Sequence, residues 1–386
     1  MTAIITKPDL EQKLSLLSRD AQYDLACACN VSGEQNRKAG SDGKWIYPAT
    51  LPEGGKSVLF KTLLTNSCTN DCKYCPLRKA RDEQRFSLSP ERISRVFMDY
   101  LRRGKVHGLF LSSGVHRGPE YAMQQLIDTA EILRRKHRFS GYIHLKIIPG
   151  ASAESIEKAV SLASAVSLNI ETAGEENFRR LSDKKDYMRD IVRPIKLIKQ
   201  LTSADGRYSR VKQTTQFIVG ASEEKDSELL AYMQRLYDNM NMQRIYFSAY
   251  QKGLGSPDLP GENSSRTANQ LRLREHRLYQ ADYLFRIYGF KASEMPLLKD
   301  GSMPADKDPK LAWAGQHPER FPVDVNSAGK AELLRIPGIG PAAAKRIIQR
   351  RKKESLRSLS DISSRPAVQS RACHYISFSG KRASLF

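Results

Sequence analysis

The 386-residue chain has no run of eighteen apolar residues, so no segment reads as a membrane-spanning helix. Its first residues, MTAIITKPDLEQKLSLLSRDAQ, lack the charged start, apolar core and small-residue cleavage site of an export signal. A cytoplasmic protein with no membrane partner is expected. An even cysteine framework is also missing, because three of the six cysteines fall within eight residues, which favours metal binding over disulfide stapling. Acid is in short supply. Forty-two Asp and Glu face 63 Lys and Arg, a net charge of +21, and such an excess suits a polyanion because each neutralised phosphate releases counterions. From Phe321 onward there are 13 basic and four acidic residues, so these last 66 residues carry +9 of the total. No internal repeat at a solenoid period is found.

The length implies one large domain plus a smaller one, and a hydrophobic fraction of 40% is ample for a core. Six apolar runs read as strands: SVLFKTLL (57–64), VHGLFLS (106–112), YIHLKII (142–148), AVSLNIE (165–171), QTTQFIV (213–219) and QRIYFSA (243–249). Between them lie helical patterns such as PERISRVFMDYLRRG and KDSELLAYMQRLYDNM. This alternation predicts parallel pairing through right-handed crossovers, in a doubly wound sheet or a full or partial barrel. We expect an N-terminal helical extension over 1–56, the strand-rich domain over 57–252, a covering extension and linker over 253–320, and a separate module over 321–386. In barrels, chemistry sits at the C-terminal ends of the strands, where the first strand runs into the cysteine cluster.

That cluster, NSCTNDCKYCPL, places Cys68, Cys72 and Cys75 at spacings of four and three. Zinc, redox-active thiols and iron–sulfur ligation are all open to three thiols. Structural zinc takes four protein ligands, usually from paired two-residue spacings, and that spacing occurs once here. A [4Fe–4S] cube can be held by three thiolates, leaving one iron open. Cys27 and Cys29, two apart on a helical pattern and so on different faces, and Cys373 read as buried small residues, and His107 and His144 read as core.

With these spacings at the end of the first of six alternating strands, the chain resembles the radical S-adenosylmethionine (SAM) superfamily. The resemblance implies a partial (β/α)6 TIM-like barrel, a [4Fe–4S] cluster and S-adenosylmethionine bound at the open iron through its amino and carboxylate groups. Reductive cleavage of S-adenosylmethionine would then give a 5′-deoxyadenosyl radical, with electrons from a donor such as a flavodoxin or ferredoxin. By position, Tyr74 falls near the adenine. Ser112, Ser113 and Gly114 replace the family's Gly-Gly-Glu turn, so the amino-group contact rests on backbone carbonyls or serine hydroxyls. Asn169 and Glu171, on one face by period two, fall near the ribose and methionine carboxylate. Gly220 lets the backbone pass close to the adenine. Substrate candidates are the alternating Gln213 and Thr215 on the fifth strand and Tyr246, Ser248 and Tyr250 on the sixth, although the opposite faces fit the period equally well.

Residues 324–353, DVNSAGKAELLRIPGIGPAAAKRIIQRRKK, carry a second pattern. Asn326 or Ser327 can cap a first helix, Pro337, Gly338, Ile339 and Gly340 make a turn, and Pro341 opens a second helix. This is similar to the helix-hairpin-helix module, whose turn offers backbone N–H groups to a phosphate, with Lys345 and Arg346 adding charge. The resemblance implies a small all-α DNA-binding domain, with the residues after 353 forming a degenerate second hairpin. The whole chain resembles radical SAM proteins described as acting in DNA modification or repair and associated with a uracil-DNA-glycosylase-like partner. A radical enzyme modifying RNA and a non-enzymatic iron–sulfur DNA-binding protein are the alternatives.

Overall fold

The computed structural model describes residues 9–21, 46–50 and 56–383. The chain divides into two compact units, one of residues up to Glu224 with Arg235–Glu275, the other of Lys225–Gln234 with His276–Phe386. Among the described residues no helix is long and apolar enough to cross a membrane.

The first unit opens with α1 (Leu10–Asp20), started by a capping box in which the Asp9 carboxylate accepts from the Gln12 amide. β1 (Ile46–Thr50) pairs antiparallel with β2 (Lys56–Leu63). Then follow α2 (Pro90–Arg102), β3 (Gly108–Ser112), α3 (Pro119–Glu131), β4 (Tyr142–Lys146), α4 (Ala153–Leu162), β5 (Ala165–Ser167), α5 (Gly174–Arg179), α6 (Arg193–Thr202) and β6 (Lys212–Val219). After α7 (Asp226–Asn239) come β7 (Met242–Ala249), α8 (Pro260–Asn263) and α9 (Ala268–Tyr288). The helices start where side chains can cap orphan amides: Ser89 for α2 and Ser152 for α4 accept from the third residue on, and α2 and α3 carry Pro in their first turn.

The seven strands lie in chain order, and β2 to β7 pair in parallel and curl into the half-barrel expected of the radical SAM type. The six expected strands are all present. β1 was not foreseen, since the region before β2 read as a helix followed by loop. On the face turned away from the barrel interior, Phe217 and Phe247 stack with ring centroids 5.8 Å apart.

The end of β6 is fixed by a buried ion pair. The Glu224 carboxylate accepts from the Gly220 amide at 2.7 Å and from Arg274 of α9 at 3.0 Å, and Arg274 also donates to the Glu224 carbonyl. Gly220 has φ +86°, and an added Cβ would lie 2.5 Å from Leu271, so the glycine answers to the turn and to α9.

The second unit adds α10 (Pro309–Gln316), β8 (Val323–Asp324), α11 (Lys330–Arg335), α12 (Pro341–Arg350), α13 (Leu359–Ile362), α14 (Pro366–Ala372), β9 (Ile376–Phe378) and β10 (Lys381–Arg382). Two helical hairpins share one core, in which Leu333, Ile336, Ile339 and Ile347 pack with Leu359, Ile362, Ala372 and Cys373. The module is not wholly helical: β8, β9 and β10 form a small sheet that joins its two ends. Asn326 and Ser327 do not cap α11, whose cap is Gly329. Asn326 instead clasps Leu356, accepting from its amide and donating to its carbonyl.

Lys310 of α10 is buried in this unit, its ammonium donating to the Ile339 carbonyl at 2.6 Å and lying 4.5 Å from the Tyr288 ring centre. Burial depresses its pKa to about 7, against a partial upward pull from Asp308. An unfolded lysine titrates near ~10.4, so from about pH 7 to that value the unfolded chain holds more protons and stability rises with pH. Below pH 7 both states are protonated and this contribution levels off. Denaturant melts between pH 7 and 9 should show that rise, and Lys310→Met should flatten it.

Candidate active site

The segment from Asn66 to Arg85 has no regular secondary structure of its own, yet its backbone is densely tied. Arg85 donates to four carbonyls, those of Asn66, Leu77, Arg78 and Arg81, at 2.6–3.0 Å. Asn66 accepts from the Phe86 amide and donates to Asp20 of α1. Asp71 accepts from the Ser182 hydroxyl and from the Asp183 and Lys184 amides. Arg78 and Arg81 both donate to the Leu254 carbonyl, and Arg78 also to Gly255. Three separate stretches of chain therefore hold the loop in one conformation.

The loop also needs clearance from β3. The Gly114 amide donates to Thr65 at 2.7 Å, and a Cβ on Gly114 would collide with the Ser67 carbonyl. No residue larger than glycine fits there. Ser112 is buried with its carbonyl accepting from Leu64, and the Ser113 hydroxyl donates to the Gly114 carbonyl at 2.8 Å.

One pocket at the C-terminal ends of the strands is lined by Cys68, Cys72, Tyr74 and Cys75, by Ser112, Ser113 and Gly114, by Asn169 and Glu171, and by Ser248 and Tyr250. Tyr74 donates to Glu171 at 2.7 Å, and Asn169 lies 3.5 Å from the other Glu171 oxygen. Glu171 is held in a left-handed backbone, φ +66°, by a bridge to β6 in which it donates to Gln216 and accepts from Ile218. Such a conformation in a residue other than glycine costs about 1–3 kcal/mol and points to a site that needs the side chain so placed.

Lys185 also lines this pocket, a residue that sequence reasoning passed over. Burial alone would lower its pKa, but the facing Cys72 and Glu171 hold the ammonium above its usual value. Its approach to both could not be seen from spacing, since it lies more than a hundred residues from Cys72. Burial pushes the Cys72 and Cys75 thiols up, so metal binding there must displace protons. Among the described residues no three His, Cys, Asp or Glu side chains close on a single ion. A cube asks instead for one thiolate at each of three corners, which suits three cysteines spaced around one pocket. The Leu77 amide, 3.4 Å from the Cys75 sulfur, is placed to support a thiolate.

Several expected site residues lie elsewhere. Gln213 and Thr215 face away from the pocket: Gln213 donates to the Ile195 carbonyl of α6, and Thr215 is buried, donating to Leu168. The inward set on β6 is the opposite one, with Gln216 and Ile218 lining the pocket. On β7 the inward face is that of Ser248 and Tyr250, with Tyr246 deeper on the same face. Gly220 turns against Leu271 and does not line the pocket. His107 is exposed, whereas His144 is buried. Cys27 and Cys29 lie outside the described residues.

In the second unit, Pro337–Gly340 forms the turn between α11 and α12. Gly338 has φ +82°, and an added Cβ would lie 2.9 Å from the Val368 carbonyl, so the turn itself demands glycine there. Ile339 is buried in the module core, while Lys345 and Arg346 on α12 are exposed.

Residues 62–236 match the Radical SAM superfamily, and residues 320–370 match the helix-hairpin-helix motif. Among solved structures, the chain is similar to HydG, a maturase of the [FeFe]-hydrogenase, at 15% identity, covering 57% of this chain and 49% of that one, with a TM-score of 0.42. It is similar to methylornithine synthase (PylB) at 14% identity, covering 59% and 63%, TM-score 0.46. It is similar also to the cobalamin-dependent S-adenosylmethionine radical enzyme OxsB at 14% identity, covering 76% and 45%, TM-score 0.35. The chain thus spans about half the length of that HydG. No curated protein matches it.

Because Arg85 braces the loop without touching a thiol, Arg85→Ala should weaken cluster retention by about 10-fold, the usual scale for losing a supporting residue. Iron and sulfide analysis after anaerobic reconstitution and desalting measures this.

Proposed function

We propose that this chain, a radical SAM enzyme by its domain over residues 62–236, modifies or repairs DNA. The observation that carries the proposal is the pairing in one chain of the three-cysteine pocket with a helix-hairpin-helix turn set in its most basic segment. A [4Fe–4S] cluster with S-adenosylmethionine supplies a 5′-deoxyadenosyl radical that takes a hydrogen atom from substrate. Cys68, Cys72 and Cys75 would each hold one iron of that cluster. Lys185, the cation beside Cys72 and Glu171, is suited to the methionine carboxylate, and Tyr74, Asn169 and Glu171 to the nucleoside part, with Ser112, Ser113 and Gly114 offering carbonyls and hydroxyls to the amino group. Ser248 and Tyr250 border the space left for substrate. The half-barrel wall shields these groups from water.

At the other end, the Pro337–Gly340 turn and the start of α12 would take a DNA phosphate, with Lys345 and Arg346 adding charge. Such a grip reads backbone and not sequence. A flavodoxin or ferredoxin is the expected class of electron donor, and the family resemblance adds a uracil-DNA-glycosylase-like protein as a candidate partner.

Reconstituted protein given S-adenosylmethionine and dithionite under anaerobic conditions should form 5′-deoxyadenosine by chromatography, and Cys72→Ala should form none. Wild type no better than that variant would leave a cluster protein without this enzymatic role. For the DNA grip, Lys345→Gln with Arg346→Gln in the full chain should weaken duplex binding and flatten its salt dependence by about one logarithmic unit of slope per lost phosphate contact. Unchanged affinity and slope, or a preference for RNA over duplex DNA, would overturn the assignment.

A further inference from the structure

The loop that carries the three cysteines borders a second cavity. Cys72 and Tyr74 line the cysteine pocket, whereas their chain neighbours Asp71 and Lys73 line another space, of about 510 Å3. Arg78 and Lys79 of the same loop, Asp183 and Lys184 after α5, and Ser256 and Asp258 after β7 complete it, all within the first unit. Lys73 ties these walls together. Its amide donates to the Leu181 carbonyl at 2.8 Å and its carbonyl accepts from the Ser256 amide at 2.7 Å. Its ammonium pairs with Asp258 at 2.9 Å and with Asp183 at 3.4 Å.

The carboxylates around this cavity are engaged by the protein itself. Asp71 accepts from the Ser182 hydroxyl and from the Asp183 and Lys184 amides, and Asp183 and Asp258 share Lys73. Three lining cations meet no carboxylate among the described residues. Arg78 donates to the carbonyls of Cys75, Leu254 and Gly255, and Lys184 donates to that of Thr69. Lys79 is exposed, and its ammonium makes no hydrogen bond or ion pair among the described residues. Exposed cations of this kind draw in an anionic surface, with a pull that salt screens.

An electron has to reach the three-cysteine site from outside, and the pocket side is where S-adenosylmethionine and substrate belong. The second cavity reaches the same cysteines by another approach: Asp71 and Lys73 flank Cys72 in the chain, and Arg78 donates to the Cys75 carbonyl at 3.1 Å. Redox proteins meet through small, weak contacts steered by charge, so a few cations around one socket are enough to guide such an encounter.

We propose that this cavity is the docking point of an acidic electron-carrier protein, whose carboxylates meet Lys79, Lys184 and Arg78. The proposal rests on the reading of the chain as a radical SAM enzyme, and it places that enzyme's redox partner on the surface. One electron leaves the carrier, an anionic flavin hydroquinone becoming the neutral semiquinone, and enters the iron–sulfur group, with no bond made or broken.

The test is stopped-flow reduction of the reconstituted full chain by reduced flavodoxin, followed by cluster absorbance over a range of ionic strength, with photoreduced 5-deazariboflavin as a small uncharged reductant. We expect the flavodoxin rate to fall with salt, and Lys79→Glu combined with Lys184→Glu to lower it by about tenfold at low salt and to remove most of the salt dependence. The deazariboflavin rate should stay at the wild-type level, which shows that fold and cluster are intact. Lys184→Glu gives up a bond to the cysteine loop, so Lys79→Glu alone, expected to cost about threefold, keeps the test valid if the double variant misfolds. Lys212→Glu makes the same charge change at the start of β6, the opposite end of the strand from the pocket, and should leave the flavodoxin rate unchanged. A flavodoxin rate untouched by the reversals, an equal loss with both reductants, or an equal loss in Lys212→Glu overturns the proposal, as does weakened duplex DNA binding with flavodoxin reduction intact. Those outcomes leave dithionite-driven 5′-deoxyadenosine formation by the wild type in place, whereas failure of the enzymatic reading abolishes it.

Discussion

Three thiols can be offered to one pocket only if the strand of chain that carries them is rigid, and here that rigidity is borrowed. A single guanidinium, Arg85, gathers four carbonyls of the loop, turning peptide groups that would otherwise need water into a closed knot. The neighbouring constraints follow from it. Asn66 must reach α1, Asp71 must reach the segment after Leu181, and Gly114 must lack a side chain so that Ser67 can pass. Glu171 and Lys185 then complete a pocket whose walls come from at least four distant parts of the sequence.

Much of this architecture is legible in the sequence because parallel strands buried on both faces are written as short apolar runs, and those runs mark the six strands to within a few residues of their ends. The cysteine triad is legible for a different reason, since its spacing carries the chemistry by itself. What period two cannot provide is a direction. Gln213 and Thr215 were as plausible inward as Gln216 and Ile218, and only the packing of β6 on its neighbours decides between them. Glu171 was found on sequence grounds, but its left-handed backbone was not, because no local pattern announces it. Arg85 and Lys185 were missed outright, each acting on residues that are near only once the chain has folded.

The second unit shows the same division. The hairpin turn is plain in its Pro-Gly-Ile-Gly signature, but the glycines have structural duties beyond any ligand: Gly338 yields to the Val368 carbonyl and to a positive φ. Nor does the module begin at Phe321. Tyr288 and Lys310 pack within the same compact unit, with Lys310 bonded to the turn itself, so the segment read as linker is part of the scaffold that sets the turn. A cut made ahead of Phe321 would pass through this scaffold.

The ties of the cysteine loop also set an order of assembly. Arg78 reaches Leu254, 176 residues further along the chain, and Lys73 pairs with Asp258. A nascent chain still short of these residues would hold its cysteine loop by Arg85 and by the ties to α1 and to residues 182–184 alone. The loop's last anchors therefore come into place only once synthesis has run past Asp258, so the cysteine pocket is among the later parts of the first unit to be completed.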